Sequence, residues 1–331
     1  MKAWQIIFLI FLIVGSIYII NRGVPYKNNS GKIFGTYYNI IYQSNDDLHN
    51  AIKATLNKVD ASLSTFNKKS VITAINNNTS DIPDEMFVKV FTLANSISKK
   101  TNGAFDITVA PLVNAWGFGF EKGIPADSAT IDSLQRYIGY TKVLYEDGKI
   151  KKQHPETMLD CSAIAKGFGC DEVARMLDKA GVKNYLVEIG GEVVAKGCND
   201  KGKIWAIGIN KPIDDATGQE NSLQEIIKIS DKSLATSGNY RNFRYEGERK
   251  LAHTIDPTTG YPVNHSLLSA TVIADNCATA DALATAFMVM GLEKAAEYCK
   301  SNNIEAFFIY SDQKGNLLTR ESEGFEKYKQ K

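Results

Sequence analysis

The middle of the chain carries three short apolar segments in succession: YLVEI at residues 185–189, WAIGI at 205–209 and IIKI at 226–229. All three are rich in β-branched and aromatic residues, which favour strands over helices. The strands are grouped between helices, whereas a parallel sheet of βαβ units requires strict alternation of the two. The sequence therefore predicts an α+β fold with a mainly antiparallel sheet.

Segments on both sides of this region complete the predicted set of elements. Further strands are expected at residues 34–43, 142–145, 269–273 and 306–310. Helices are expected at residues 46–64, 84–101, 162–180 and 276–290. The last two helices stop at Gly181 and Gly291, and glycine is the residue favoured at a left-handed C-terminal cap.

Residues 1–32 differ in composition from the rest of the chain. Residues 4–20 contain no charged side chain and include the run IIFLIFLIV, and a helix of this length approaches the roughly 30 Å thickness of a membrane's hydrocarbon core. Because no clean signal-cleavage site follows, an uncleaved signal anchor over residues 1–21 is favoured over a cleaved signal. A buried core helix is disfavoured because the run is terminal, almost free of polar residues and followed by a polar segment. Residues 22–32 are predicted to form a flexible linker and residues 33–331 the folded domain.

The composition is that of an ordinary globular protein without excess charge. The 331 residues include 38 Lys and Arg against 37 Asp and Glu, a net charge of +1. Nucleic acid is therefore not expected as a partner. The five cysteines include no C-x-x-C pair, so neither a disulfide scaffold nor a zinc ribbon is indicated. P-loop, G-x-G-x-x-G, H-E-x-x-H and G-x-S-x-G patterns are also missing, which removes the main support for those enzyme classes.

Two segments combine small residues with polar groups suited to a cofactor. NGAFDITVAPL at residues 102–112 is expected to present Asp106 after an Asn-Gly turn, where its carboxylate can bind ring N–H groups of a heterocycle. The alternative is a solvated strand residue or a helix cap. LDCSAIAKGFG at 159–169 places Ser162 as a helix N-cap, and its small residues leave room for a phosphate at the helix N-terminus. Lys166 adds positive charge there, although small residues also serve close helix packing.

His253 is the strongest candidate for acid–base chemistry among the four histidines. It stands in HTIDPTTGYP at residues 253–262, ahead of a tight Asp-Pro-x-x-Gly turn that fixes its direction. A neutral imidazole accepts a proton from an attacking hydroxyl near pH 7. The alternative is a histidine with a purely structural role.

The segment ADNCATADALATAF at residues 274–287 offers oxygen ligands for a cation. Asp281 and Thr285 are four residues apart, so both side chains lie on one helical face, among alanines that leave room. A carboxylate and a hydroxyl suit Mg²⁺, which keeps water and phosphate oxygens as its other ligands. The alternative is an exposed aspartate beside a threonine that bonds within its own helix.

Taken together, these segments resemble the ApbE family of flavin transferases, in colinear order over residues 33–318. WGFG at 116–119, VEIGGEVVAKG at 187–197 and ATSGNYRN at 235–242 belong to the same resemblance. It implies a fold of two T-fold-like halves and a Mg²⁺ held by the backbone carbonyl of Ala163 together with Asp281 and Thr285. FAD contacts are implied at Phe34, Phe66, Ala104, Phe105, Asp106, Asp160, Lys166, Thr254 and Ile255.

Members of this family move FMN from FAD onto a threonine of a target protein. The resemblance implies FAD as substrate, an acceptor flavoprotein with a target threonine as partner, and AMP as product, with His253 as the base. It also implies a domain in the cell envelope, on the extracytoplasmic side of the cytoplasmic membrane. Two alternatives stay open: an FAD pyrophosphatase that gives FMN and AMP, and an exported flavin-binding protein without turnover.

Overall fold

The computed structural model describes residues 4, 5, 8, 23–121, 127–213, 222–239, 243–246 and 249–329. The strands in these residues are Tyr26–Ile33 (β1), Thr36–Gln43 (β2), Val143–Glu146 (β3), Lys149–Lys152 (β4), Tyr185–Ile189 (β5), Glu192–Lys196 (β6), Trp205–Asn210 (β7), Leu223–Ile229 (β8), Lys232–Gly238 (β9), Phe243–Glu246 (β10), Arg249–Ala252 (β11), Leu267–Ala274 (β12), Glu305–Ser311 (β13) and Leu317–Glu321 (β14). The α-helices are His49–Leu63 (α1), Val71–Asn76 (α2), Glu85–Lys100 (α3), Ala110–Ala115 (α4), Ser128–Gln135 (α5), Ala165–Lys179 (α6), Cys277–Met290 (α7) and Leu292–Asn302 (α8).

Eight strands form one antiparallel sheet in the order β1-β2-β5-β6-β9-β12-β13-β14. The first four and the last four have the same layout, because each set consists of two sheet strands, intervening helices and two further sheet strands. β6 pairs with β9 and joins the two sets. The predicted α+β class and antiparallel sheet are confirmed, and the layout agrees with the expected two halves.

The two faces of the sheet pack against different layers. On β13, Phe308 packs into a core shared with α3 and α7, whereas its neighbours Phe307 and Ile309 belong to a core on the other face. This alternation follows from the period of two residues along a strand. Helices cover the first face, and the second is covered by the β7–β8 hairpin and the C-terminal segment, which contribute Trp205 and Phe325.

The predicted linker over residues 22–32 is wrong for most of its length, because β1 pairs with β2 along its entire length. β1 is an edge strand of the sheet, and none of its side chains is buried. Polar residues suit such an edge because they discourage pairing with other molecules. The hairpin turn that follows consists of Phe34 and Gly35, with φ of 50° and 71°, so β2 begins two residues later than predicted.

The predicted helices are present, with small changes at their ends. Asp84 and Asn276 cap α3 and α7 through their side chains. Gly181 and Gly291 follow α6 and α7 with positive φ, which glycine adopts without steric cost.

The predicted signal anchor over residues 1–21 lies outside the described residues, apart from Trp4, Gln5 and Phe8. Among the residues that the structure does describe, none of the helices combines the length and the apolar character needed to cross a membrane. The anchor stays a prediction from the sequence.

Candidate functional site

One cavity of about 940 Å³ is lined by the start of α6, by α7, by β9 and by the loops around them. Its wall contains residues from both halves of the sheet. All of the residues that the sequence marked as site candidates line this cavity: Phe34, Phe66, Ala104, Phe105, Asp106, Asp160, Ala163, Lys166, His253, Thr254, Ile255, Asp281 and Thr285. Their roles stay predictions, but the fold brings them together.

The helices α6 and α7 meet at their N-terminal ends. A Cβ on Gly167 would lie 2.4 Å from the carbonyl oxygen of Cys277, and one on Gly169 would lie 2.8 Å from the Phe34 ring. Glycine at both positions therefore serves close packing. The interpretation that these two glycines make room for a phosphate is wrong, because protein atoms fill the side of each glycine on which a Cβ would stand. Ala163 of the same segment does line the cavity.

Each of these helices supplies a carboxylate to the first turn of the other. Asp281 Oδ2 accepts a hydrogen bond from Gly167 N at 3.0 Å. Asp171 accepts from Cys277 N at 2.8 Å and from Ala278 N at 3.0 Å. Carboxylates stabilise helix N-termini because they meet the unpaired N–H groups and the positive end of the helix dipole. The three hydrogen bonds fix the helix ends relative to each other, so Asp281 is held in place before any ligand binds.

Lys166 joins two buried carboxylates in the cavity wall. Its Nζ lies 2.7 Å from Glu192 Oε1 and 3.8 Å from Asp281 Oδ1. Burial by itself lowers the pKa of Lys166, but the two carboxylates outweigh that effect and raise the pKa, so the ammonium stays charged. Burial raises the pKa of Glu192 to about 7, against the opposing effect of Lys166.

Glu192 is a cavity residue that the sequence analysis missed. It follows directly on a turn formed by Gly190 and Gly191, both with positive φ, and its side chain is almost fully buried. Two adjacent glycines before a charged residue, within the segment VEIGGEVVAKG, were the available signal. Such a turn holds the first residue of the next strand in a fixed position.

The oxygen atoms around Asp281 fit a hard divalent cation. Thr285 Oγ1 lies 3.5 Å from Ser237 Oγ, and Glu192 Oε2 is buried without a hydrogen-bond partner in the described part of the chain. A buried carboxylate oxygen is costly unless a donor or a cation reaches it. Carboxylate, hydroxyl and carbonyl oxygens, the last from Ala163, are ligands that Mg²⁺ prefers.

These donors would form an incomplete shell on their own. Among the described residues, no group of three or more His, Cys, Asp or Glu side chains is arranged to hold a metal ion. Mg²⁺ commonly keeps several waters and binds through one or two carboxylates together with substrate phosphates. The arrangement therefore suits a cation that binds together with a phosphorylated substrate.

Asp160, rather than Ser162, organises the turn before α6. Asp160 Oδ1 accepts hydrogen bonds from Ser162 N at 2.8 Å and from Ser162 Oγ at 2.5 Å. The helix begins at Ala165, and the residue at its N-cap position, Ile164, makes no side-chain cap bond. The predicted Ser162 cap is wrong because the helix begins three residues after it, and the Ser162 hydroxyl donates to Asp160 instead. Burial raises the pKa of Asp160, although the bonds from Ser162 lower it.

Asp106 is the N-cap of a short 3₁₀ helix, Ile107–Val109, as well as a cavity residue. Its Oδ1 accepts from Thr108 N at 2.8 Å and from Thr108 Oγ1 at 2.7 Å, and its Oδ2 accepts from Tyr140 N at 2.7 Å. Burial raises the pKa of Asp106, whereas these hydrogen bonds lower it. The helix-cap alternative is confirmed, and the expected turn before it has positive φ at Asn102 and Gly103.

Two of the three phenylalanines predicted to contact FAD, Phe66 and Phe105, lie at different depths. Phe66 lines the cavity but is 72% exposed, so it lies at the opening. Its ring meets the Phe120 ring edge-on, with centroids 6.3 Å apart. Phe105 lines the same cavity and is 2% exposed. An elongated ligand could therefore contact aromatic side chains at both depths.

His253 lies in the cavity wall just before the turn that the sequence predicted. Within that turn, Gly260 N donates to Asp256 O at 2.8 Å, and Asp256 Oδ1 accepts from Thr258 N at 2.8 Å. The His253 ring meets the Phe118 ring edge-on, with centroids 6.4 Å apart. The imidazole is thus presented to the cavity from a segment that backbone hydrogen bonds hold rigid.

The sequence is similar to that of known flavin transferases along nearly its whole length. Residues 34–308 match the ApbE family. The chain is 40% identical over 316 residues to the FAD:protein FMN transferase of Haemophilus influenzae, with 90% of each chain covered. It is 35% identical over 294 residues to the FAD:protein FMN transferase of Escherichia coli strain K12, with 84% of this chain and 82% of that protein covered.

Solved structures show the same similarity in three dimensions. The flavin transferase ApbE from Vibrio cholerae has a TM-score of 0.82 and 35% identity, with 92% of this chain and 99% of that chain covered. The apo form of the Pseudomonas stutzeri flavinyl transferase ApbE has a TM-score of 0.81 and 30% identity, with 92% and 96% covered. Sequence, fold and cavity lead to one assignment: the chain belongs to the ApbE family.

Proposed function

We propose that this protein transfers the FMN moiety of FAD to a threonine hydroxyl of an acceptor flavoprotein and releases AMP, with Mg²⁺ as cofactor. The observation that carries the proposal is the single cavity that brings Lys166, Asp281 and His253 together. Its volume of about 940 Å³ lies near the upper end of the range for small-molecule sites, which suits a dinucleotide. Relatives named FAD:protein FMN transferase support the same activity.

The side of the cavity formed by the start of α6 and by α7, called the helix-end side below, offers the positive charge that a pyrophosphate needs. The Lys166 ammonium, which pairs with Glu192 at 2.7 Å, can donate charge-assisted hydrogen bonds to phosphate oxygens. Asp281, Thr285 and the Ala163 carbonyl would hold Mg²⁺. When bound, Mg²⁺ stabilises negative charge on the phosphate oxygens as a Lewis acid. The contact between the N-terminal ends of α6 and α7 keeps these ligands in fixed positions.

Removal of the proton from the acceptor hydroxyl is the proposed role of His253. Its imidazole accepts the proton of the threonine hydroxyl as that oxygen forms a bond to the FMN phosphorus. The bond from this phosphorus to the bridging oxygen of the pyrophosphate breaks, and its electron pair leaves with AMP. Positioning and charge neutralisation dominate the rate of such phosphoryl transfers, which agrees with a cavity whose polar side chains are held by hydrogen bonds.

The experiment that tests this function measures the mass of the acceptor. The full-length protein is incubated with FAD, Mg²⁺ and an acceptor flavoprotein, and an acceptor whose target threonine is replaced by alanine serves as the control. We expect the first acceptor to gain the mass of one FMN attached as a phosphoester and the second to stay unmodified. Free FMN and AMP without an adduct would indicate a pyrophosphatase, and bound FAD without turnover would indicate a flavin-binding protein.

We also propose that the domain lies in the cell envelope, on the extracytoplasmic side of the cytoplasmic membrane. The apolar run at residues 4–20 and the resemblance to the family support this location. The charges beside the run oppose it, because Lys2 precedes the run whereas Arg22, Lys27 and Lys32 follow it. A reporter fused after Lys331 should be active outside the cytoplasm, and activity in the cytoplasm alone would refute the location.

A further inference from the structure

The segment WGFG at residues 116–119 is a tight turn in which both glycines are required. Gly117 has a φ of 76°, and a Cβ there would lie 3.0 Å from Arg244 Nη1. A Cβ on Gly119 would lie 1.8 Å from Asn114 Oδ1 and 2.9 Å from Asn114 N. A side chain at either position would force its neighbours to move. The backbone of this turn therefore places its two aromatic side chains in fixed positions.

Those aromatic side chains contact the His253 segment at two points. The Trp116 indole is buried, and its Nε1 donates to the carbonyl oxygen of Gly260 at 2.8 Å. The Phe118 ring meets the His253 ring at an interplanar angle of 70°. Trp116 also belongs to the same apolar cluster as Ile255, with Phe118 packed against that cluster. The WGFG turn thus contacts the chain at His253, before the Asp-Pro-x-x-Gly turn, and at Gly260, at its end.

Phe118 is itself backed by a cation. The Arg244 guanidinium carbon lies 5.7 Å from the centroid of the Phe118 ring, within the range of a cation–π contact. Phe118 and His253 line the cavity, whereas Arg244 does not. Arg244 therefore contacts the cavity residue Phe118 from outside the cavity.

We propose that Phe118 is a positioning residue for His253, held in turn by the WGFG turn and by Arg244. An edge-to-face contact favours one relative orientation of two rings, so the Phe118 ring contributes to the orientation of the imidazole. Displacement of a reacting group by about 1 Å can cost on the order of 10²-fold in rate. The proposal rests on the proposed role of His253 as the base that activates the acceptor hydroxyl.

The first test reads the environment of His253 without using activity. The chain has four histidines, so the full-length protein without a histidine tag gives four imidazole Hε1 signals by NMR, and His253→Ala assigns one of them. Phe118→Leu is expected to shift that signal because the ring current is lost, whereas Phe118→Tyr keeps the ring and leaves the signal nearly in place. An unshifted His253 signal in Phe118→Leu would overturn the proposal.

A matched control uses a second histidine with the same kind of contact. The Tyr137 ring meets the His154 ring edge-on, with centroids 5.7 Å apart. Tyr137→Leu should therefore shift the His154 signal and leave the His253 signal unchanged. A His253 signal that moves equally in Tyr137→Leu would mean that the shift reports a general loosening of the fold, and the proposal would be overturned.

The second test measures transfer on the same preparations. We expect Phe118→Leu to lower kcat by roughly tenfold to 10²-fold, with melting temperature and FAD affinity nearly unchanged. Arg244→Gln should lower kcat less than Phe118→Leu does. Phe118→Tyr, which keeps the ring, should retain a kcat near that of the unaltered protein. A loss of FAD affinity equal to the loss in kcat would overturn the proposal. If neither Phe118→Leu nor His253→Ala lowers kcat although the signal shifts, the proposed base is wrong, and that failure is distinct from a failure of positioning.

Discussion

Two sides of the same cavity are built in different ways. On the helix-end side, Gly167, Asp171 and Asp281 are part of the buried contact between α6 and α7, and their hydrogen bonds cap the two helices. On the turn side, His253 stands before a short turn and contacts the Phe118 ring edge-on. The groups that would bind Mg²⁺ and phosphate are thus built into the core, whereas the imidazole that would accept the hydroxyl proton lies on a turn. Substitutions on the first side should change stability and binding together, and those on the second should change rate alone.

The largest effect is expected on the helix-end side, at Asp281. Asp281→Ala removes the one carboxylate among the proposed Mg²⁺ ligands and should abolish Mg²⁺-dependent transfer. Asp281→Asn keeps an oxygen that can accept from Gly167 N, so it should be equally inactive but more stable. Transfer assays, thermal melting and calorimetry with FAD and Mg²⁺ measure these differences. Unchanged turnover in Asp281→Ala would exclude α7 from the reaction.

The next largest effect is expected on the turn side, where binding and rate should separate. His253→Ala should keep the affinity for FAD, because an imidazole is not needed to hold the pyrophosphate. Transfer should slow by roughly 10² to 10⁴-fold, as is typical when an acid–base group is lost. Affinity, rate and melting temperature are measured on one preparation. A stable His253→Ala protein with full activity would mean that another group activates the acceptor hydroxyl.

A smaller effect, on stability rather than chemistry, is expected at Asp171. This buried carboxylate accepts from two N–H groups at the start of α7, and the loss of a helix cap costs about 1 to 2 kcal/mol. Asp171→Ala should lower the free energy of unfolding by about that amount, as measured by chemical denaturation. At a temperature where the variant is folded, kcat should fall much less than in Asp281→Ala. An equal loss of kcat would contradict the division between capping and ligand binding.

The smallest effect is expected at Ser162, which does not cap α6. Its hydroxyl bonds to Asp160 Oδ1 in an exposed turn, so Ser162→Ala should change the free energy of unfolding by less than about 0.5 kcal/mol. A residue that capped the helix would cost about 1 kcal/mol on replacement by alanine. A loss of that size in a denaturation experiment would restore Ser162 as the N-cap.

Local patterns carried the fold class and the long helices, because these depend on short-range periodicity and on caps such as Asn276. Four strands of the eight-stranded sheet, β1, β6, β9 and β14, escaped prediction. β9 reads KSLATSG, and its small residues Thr236, Ser237 and Gly238 line the cavity, so it lacks the bulky apolar pattern of a strand. β1 looks like a linker because it is an exposed polar edge. In both cases the position within the sheet, which a local pattern does not carry, decides the structure.

The candidate site could be predicted from its motifs, but the long-range hydrogen bonds that hold its residues in place could not. The residues that line the cavity stand in segments of unusual composition, which made them visible in the sequence. The bonds that hold them are long-range: Asp171 caps a helix 106 residues away, and Trp116 bonds to a carbonyl 144 residues away. Glu192 is visible only as a charge after two glycines, and its pairing with Lys166 requires the folded chain.

If one cavity joins charge binding and proton removal in order to move FMN onto a protein hydroxyl, AMP release and FMN attachment must be coupled. Both are counted in the same reaction. We expect one AMP for each FMN attached to the acceptor, and neither product when the acceptor or Mg²⁺ is left out. AMP that accumulates with free FMN in the absence of acceptor would contradict this coupling.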